Sequence, residues 1–446
     1  MNFQIDQFNY QSLPRLAEVL RQNKINKIEL ELTKEIGDLP FLSDVVPYLY
    51  QLMDYESSFQ VEIKDFPFCL IELEALDHIK SVNQGEKTKD CQKCRWNKFC
   101  SGFPRGYFKK YYSQEISPAI ELPLEVMIEV TSKCNFNCQF CFNEVSFAKN
   151  GRKIKELSTG YFKKVIDSID QAGIKIVKVT GGEPLLRKDI FSLLKYAKEK
   201  GLEVRLNTNA SLIDQKKVKK LKGVVDDILI PIESYNNKKE EKITGYKDSL
   251  KKKIKAIKLL KKAKIPVVRA GTVAIEENII NFDKLAQFIF KLPLDEWELY
   301  RPIPIYEKDK LSSQLINVLV DKLIDLRKEI DKPVFIANAI PFCSIKDLNK
   351  INSVSKGALY DDGHNRLVID PRGFVKPHYF LDKNLGSPLD ILKAWNHPFM
   401  KKMRNLEFLP KECQNCSFAF KCRGGSRQAA KIINGDYKVL DPLAKI

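Results

Sequence analysis

The chain has 446 residues, 44% hydrophobic and 30% charged, a globular balance spread over more length than one core usually holds, so two or three domains are expected. It carries 75 Lys or Arg against 57 Asp or Glu, a net charge of +18, yet 60 of the basic residues are Lys, a solubilising point charge rather than the base-reading guanidinium, so nucleic acid is not the expected partner. No apolar run is long enough to span a membrane, and MNFQIDQFNY lacks the basic and apolar regions of a signal peptide, so a cytoplasmic protein is expected.

In chain order, LAEVLRQNKINKIELEL (16–32) reads as helix, turn and strand, and a second strand ends in IKDFPFC at Cys69. DCQKCRWNKFCSG then places Cys91, Cys94 and Cys100 at C-x2-C-x5-C. Next come Cys134, Cys138 and Cys141 at C-x3-C-x2-C in CNFNCQFC, with an aromatic, Phe140, before the last. From 122 to 305, strands at LEVMIEVT, KIVKVT, LEVRLNT, DDILIPI, IPVVRAGTVAI and EWELYRPI alternate with helical patterns, which predicts a parallel sheet of six strand–helix units. One of those patterns, KKKIKAIKLLKKAKIP (251–266), sets Ile254, Ile257 and Leu260 at helical spacing and is expected to keep its lysines on a solvated face.

The second strand of the six ends in IKIVKVTGGEPLLR. Its two glycines allow close approach of a ligand to the backbone, and Glu183 offers a carboxylate to an ammonium group. Beyond the sixth strand, ANAIPFC ends at Cys343, and ECQNCSFAFKCRGG repeats C-x2-C-x5-C with Cys413, Cys416 and Cys422. The two sets of four cysteines share the PFC and C-x2-C-x5-C elements, and LAQFIFKLPLDEWELYR (285–301) parallels 16–32, so residues 13–105 are expected to repeat 282–427. Four thiolates hold either zinc or an iron–sulfur cluster, and the spacing leaves both open. Three thiolates leave one metal position free, which is the mark of a reactive centre.

C-x3-C-x2-C after the first strand, with an aromatic before the last Cys, and GGEP after the second resemble the radical S-adenosylmethionine (SAM) enzymes. The resemblance implies a partial (β/α)6 barrel in an α/β chain, with cysteine-rich domains on both sides. It implies a [4Fe–4S] cluster on Cys134, Cys138 and Cys141, with SAM chelating the open iron and breaking to methionine and a 5′-deoxyadenosyl radical. Phe140, Gly181, Gly182 and Glu183 would then bind the cofactor, with Thr208 and Asn209 of LNTNA (206–210), where Ala210 replaces the family's usual Gly. Pro231 departs from the family pattern in IPIES, which leaves Glu233 without an assigned role; Arg269 and Asn278 are read as core or surface before pocket.

The C-terminal part resembles the SPASM/twitch extension, with one auxiliary cluster on Cys343, Cys413, Cys416 and Cys422, and the N-terminal copy would hold another on Cys69, Cys91, Cys94 and Cys100. His378, Ser426 and YKVLDPLA stand where the full extension has further cysteines; His378 is read as a polar neighbour before a ligand, and Asp370 of VIDPRG as a turn residue before a base. The expected domains are 1–115, 122–305 and 306–446. The expected function is oxidation or modification of a peptide or small protein, with electrons from an external flavodoxin- or ferredoxin-type reductant. A tetrapyrrole-modifying enzyme and a non-catalytic iron–sulfur or zinc-stapled protein are the alternatives.

Overall fold

In a computed structural model of the chain, all residues are described except 54–58, 72, 95, 112–121, 142–154, 304–310, 331, 359–360, 362, 380, 382, 417 and 446. The chain divides into two units, Met1–Glu121 with Leu326–Asp331, and Leu122–Asp325 with Lys332–Ile446.

In the first unit, β1 (Asn2–Ile5), β2 (Lys27–Leu32), β3 (Gln60–Lys64) and β4 (Ile79–Lys80) form a parallel sheet in that order. Parallel neighbours need crossovers. The helices Leu13–Gln22 and Leu42–Met53 supply them, burying Leu13, Leu16 and Leu20, and Leu42, Val45 and Leu49, at helical spacing. A 3-10 turn, Phe68–Leu70, follows β3 and carries Cys69.

The second unit holds the six expected strands: β5 (Glu125–Glu129), β6 (Ile176–Thr180), β7 (Glu203–Asn207), β8 (Asp227–Pro231), β9 (Val267–Val273) and β10 (Glu296–Tyr300). They pair in parallel in chain order and form the expected partial barrel. Three strands from the segment beyond 305 extend the sheet to nine. β11 (Val334–Ile336) runs parallel to β10, β12 (Arg366–Ile369) runs parallel to β5, and β13 (Val375–Lys376) closes antiparallel on β12. Among the described residues no helix is long and apolar enough to cross a membrane.

The period of two separates the faces of this sheet. Val126, Ile128, Val177, Val179, Val204 and Leu206 are buried on one. The other is charged: Glu125, Lys178, Arg205, Asp227, Arg269, Glu298 and Arg366 come one from each of seven neighbouring strands and are linked side to side. Lys178 Nζ lies 3.5 Å from Glu125, Arg205 bridges Glu125 at 3.8 Å and Asp227 at 3.9 Å, and Arg269 holds Asp227 at 2.8 Å. Arg269 thus belongs to this buried layer. Burial alone would raise the Glu125 carboxyl, but Arg366, Lys178 and Arg205 outweigh it and hold the acid at about 2.

Because the folded value lies below the ordinary one, Glu125 stabilises the fold above about pH 4, and that contribution is lost as the pH falls toward 2; it amounts to about 3 kcal/mol. Urea midpoints measured against pH check this. Glu125→Gln is expected to cost about 3–5 kcal/mol at pH 7 by stranding its cations, and to flatten the acid limb between pH 5 and 2. An unchanged limb would show that other carboxylates set it.

Candidate functional site

The C-terminal strand ends converge on the loop that follows β5. Thr131 Oγ1 donates to Glu156 at 2.6 Å, and the Ser132 N–H donates to the same oxygen at 3.2 Å, which fixes the loop's exit from the strand. Farther on, the Asn137 N–H donates to Thr244 O and the Gln139 N–H to Ile243 O, both at 2.9 Å, so the loop docks on the C-terminus of the helix Asn237–Thr244. Phe136 stacks on Tyr246 at 4.5 Å. Cys134 is exposed and Cys138 and Cys141 are half-buried, and the three thiols lie within electrostatic reach of one another. The Phe136 N–H points at Cys134 Sγ at 3.4 Å, a contact that favours the thiolate. Burial pushes the Cys138 thiol up, so a cation at this position is what would ionise it. Phe140 is half-buried between Gln139 and Cys141.

The turn after β6 interlocks with this loop. The Gly182 N–H donates to Thr131 O at 2.8 Å, and the Glu183 N–H to Lys133 O at 2.7 Å. Gly181 adopts φ +147, and a Cβ on Gly182 would stand 2.2 Å from Lys133 O, so only glycine permits the approach. The Glu183 side chain is fully buried. Its Oε1 accepts from the Leu185 N–H at 2.9 Å and Thr208 Oγ1 at 2.7 Å, and its Oε2 from the Asn209 N–H at 2.7 Å. It therefore ties the end of β6 to that of β7 and keeps a free lone pair on Oε2. Burial pushes this acid up to about 7. Asn209 Nδ2 reaches Asn135 at 2.9 Å and Cys134 Sγ at 4.0 Å, which brings the third strand end to the cysteine loop. Ala210 sits at φ +59, a left-handed conformation that suits glycine better.

Several residues of this site carry no local signal in the sequence. Lys253 lies in the lysine-rich helix Ser249–Lys262, yet its side chain is fully buried and paired with the equally buried Glu240. It lies 5.4 Å from the Phe136 ring, beneath the cysteine loop. The solvated-face expectation therefore fails at Lys253, because Glu240 lies within reach of its ammonium. Glu240 Oε2 also accepts the N–H groups of Glu233 and Ser234, and Glu233 accepts the Val273 N–H at 2.8 Å, so Glu233 braces strand ends. Burial and Glu240 push Glu233 up to about 8. Glu129, the last residue of β5, is buried on the charged face opposite Thr180. Its Oε2 has no hydrogen-bond partner among the described residues, and Lys376 Nζ stands 3.6 Å away. Burial pushes this acid up to about 7.

The other candidates are local. Asn278 Nδ2 donates to Val273 O at 2.8 Å. Asp370 accepts the Arg372 and Phe374 N–H groups and the Arg372 side chain, which is a turn. Ser426 caps the helix Arg427–Asn434 through the Ala429 N–H. His378 is buried 3.7 Å from Asp361.

The C-terminal cysteines come together: Cys343 and Cys416 both lie within electrostatic reach of Cys413, and Cys343 and Cys413 of Cys422. Burial pushes Cys413 up to about 11 and Cys422 up to about 12, while the Phe342 N–H points at Cys422 Sγ at 3.3 Å. In the N-terminal unit, Cys100 Sγ accepts from the Phe68 N–H at 3.4 Å and the Gly102 N–H at 3.3 Å, with Cys94 close by. Thiols buried or half-buried beside aimed N–H donors suit thiolate ligands of iron. Among the described residues no three His, Cys, Asp or Glu side chains converge tightly enough for one bare metal ion.

Residues 128–289 match the model of the Radical SAM superfamily. The chain is similar to the PqqA peptide cyclase of Granulibacter bethesdensis, 23% identical over 319 residues that cover 68% of this chain and 82% of that one. It is also similar to the AdoMet-dependent heme synthase of Methanosarcina barkeri, 25% identical over 331 residues that cover 69% and 92%. Among solved structures, Streptococcus suis SuiB bound to its precursor peptide SuiA aligns with TM-score 0.58 and 17% identity over 73% of this chain and 77% of that one, a likeness of fold.

Gly182→Ala is expected to force the cysteine loop away from β6, cutting the iron bound per chain after anaerobic reconstitution and lowering stability by about 1–3 kcal/mol. A Cβ on Gly160 meets nothing within 4 Å, so Gly160→Ala should leave both unchanged. Iron analysis and thermal unfolding of the two variants check this, and full iron in Gly182→Ala would contradict it.

Proposed function

We infer that this radical SAM enzyme modifies a peptide or small protein. The reading is carried by the likeness to PqqA peptide cyclase, which extends beyond the radical SAM domain to 68% of the chain. Cys134, Cys138 and Cys141 would hold the [4Fe–4S] cluster, and Phe140, Gly181, Gly182, Glu183, Thr208 and Asn209 would receive SAM. Bound together, the cluster and SAM supply hydrogen abstraction from an unactivated C–H bond.

The chain's own part is positioning and proton handling. Gly181 and Gly182 let the turn after β6 lie directly against the backbone of the cysteine loop. Glu183 keeps an oxygen lone pair for an ammonium group while its other bonds hold it still. The buried Lys253–Glu240 pair supports the loop from below. Glu129 Oε2, on the charged face at the top of β5, is placed to take a proton from a substrate that has lost a hydrogen atom. Its acid, pushed up to about 7, can both accept and release one near neutral pH.

Cys343, Cys413, Cys416 and Cys422 would carry one auxiliary cluster, and Cys69, Cys91, Cys94 and Cys100 a second. Neither set leaves an open iron, so their task is to hold or pass electrons. An external low-potential reductant completes the cycle. A second reading, modification of a tetrapyrrole, is favoured by the similarity to AdoMet-dependent heme synthase.

The test is 5′-deoxyadenosine yield from reconstituted enzyme, SAM and dithionite under anaerobic conditions. The yield is expected to rise several-fold with the low-mass peptide fraction of the source cell, and to fall back when that fraction is first digested with protease. Stimulation by iron coproporphyrin with a shift of its Soret band, and none by peptides, would overturn the peptide reading in favour of the tetrapyrrole.

A further inference from the structure

We propose that the Met1–Glu121 unit is the electron-entry module of this enzyme: its four cysteines hold a closed iron–sulfur centre, and the lysine-rich face around them docks an acidic one-electron carrier protein. This rests on the radical SAM reading only for the use to which the electron is put.

The metal site follows from a match between two places in the chain. Pro67 and Pro341 have the same backbone, φ −65 ψ 125 and φ −64 ψ 129, and each opens a 3-10 turn that carries a cysteine. The Phe68 N–H points at Cys100 Sγ at 3.4 Å, and the Phe342 N–H at Cys422 Sγ at 3.3 Å. The Cys94 N–H donates to Cys91 O at 3.1 Å, and the Cys416 N–H to Cys413 O at 3.2 Å. The Cys100 N–H donates to Trp96 O at 2.9 Å, and the Cys422 N–H to Phe418 O at 2.8 Å. Phe68 and Trp96 cross at 60°, and Phe342 and Phe418 at 59°. Each cysteine set also follows a parallel strand pair, β2–β3 or β10–β11. Two frames this alike present their thiolates alike, so they suit the same kind of centre.

Their surroundings differ. Residues 84–110 carry eight Lys or Arg against two Asp or Glu, a third of the chain's net charge of +18. Lys87, Lys89, Lys98, Arg105 and Lys109 are exposed, and Lys87 lies within electrostatic reach of Cys100. At the C-terminal set, Arg423 and Arg427 are buried, and Arg427 is spent on the carbonyls of Tyr437 and Val439. Exposed positive charge around a half-buried thiolate set is what a transient, charge-steered redox contact uses. One electron leaves the carrier, which is oxidised by one, and the iron–sulfur centre is reduced by one; no bond or proton changes hands.

The test uses the reconstituted full chain and flavodoxin hydroquinone, a strongly acidic donor, with stopped-flow recording of the bleaching of iron–sulfur absorbance. Lys89→Glu/Lys98→Glu/Arg105→Glu is compared with Lys251→Glu/Lys255→Glu/Lys258→Glu, which changes the charge equally on the helix Ser249–Lys262. At low salt the first variant is expected to slow bimolecular reduction about 10-fold or more, the second to leave it near wild type, and about 0.5 M salt to erase the difference. Binding of oxidised flavodoxin should weaken in parallel. Cys91→Ala/Cys94→Ala should lose about 4 irons per chain and the fast phase with flavodoxin. Equal rates in the two charge variants would overturn the docking face; retained iron, or zinc in its place, would overturn the centre. None of these readouts needs SAM cleavage, so failure of the radical SAM reading would show separately, as absence of 5′-deoxyadenosine with dithionite.

Discussion

The site depends on one close approach: the backbone of Gly181–Glu183 lies directly against that of Thr131–Lys133. Two N–H groups of the first segment donate to two carbonyls of the second, and a side chain on Gly182 would occupy the position of Lys133 O. That contact sets how far the cysteine loop stands from the sheet. It also aims the Glu183 carboxylate at the end of β7, where Thr208 and Asn209 complete its bonds. The first two strand ends are thereby coupled through backbone groups, and the third through the buried Glu183 carboxylate.

A second constraint lies inside the sheet. Parallel sheets are usually apolar on both faces. Here one face is a row of paired charges, and Glu125 alone meets Arg366, Lys178 and Arg205. Such a layer is costly to bury unless each member is paired, and its pairing across seven strands makes the strand order self-consistent. The layer ends, toward the cysteine loop, at Glu129 and Lys376, which stand 3.6 Å apart.

What the sequence made legible was local. The six strands, the cysteine spacings and the Gly-Gly-Glu turn each occupy a few consecutive residues, and chain order alone placed the turn beside the loop. Contacts between distant segments were not legible. Lys253 sits in a run of lysines and differs from its neighbours only because Glu240 lies beneath it. Glu125, Lys178 and Arg269 alternate with apolar residues, a pattern that does not tell a solvated face from a buried charged one, and here they are buried. The pairing of β12 with β5 joins residues about 240 apart, and nothing at either end announces it. Tyr246 and Thr244 support the cysteine loop from a helix end about 100 residues downstream.

The most direct measurement is the electron paramagnetic resonance spectrum of the reduced, reconstituted protein, recorded with and without SAM, for wild type and Cys138→Ala. SAM is expected to shift the signal of one [4Fe–4S] centre in the wild type, as it would if one iron lacked a protein ligand, and the shifting signal is expected to be absent from the variant while any remaining signals persist. A wild-type spectrum that SAM leaves unchanged would contradict the open iron at the three-cysteine loop.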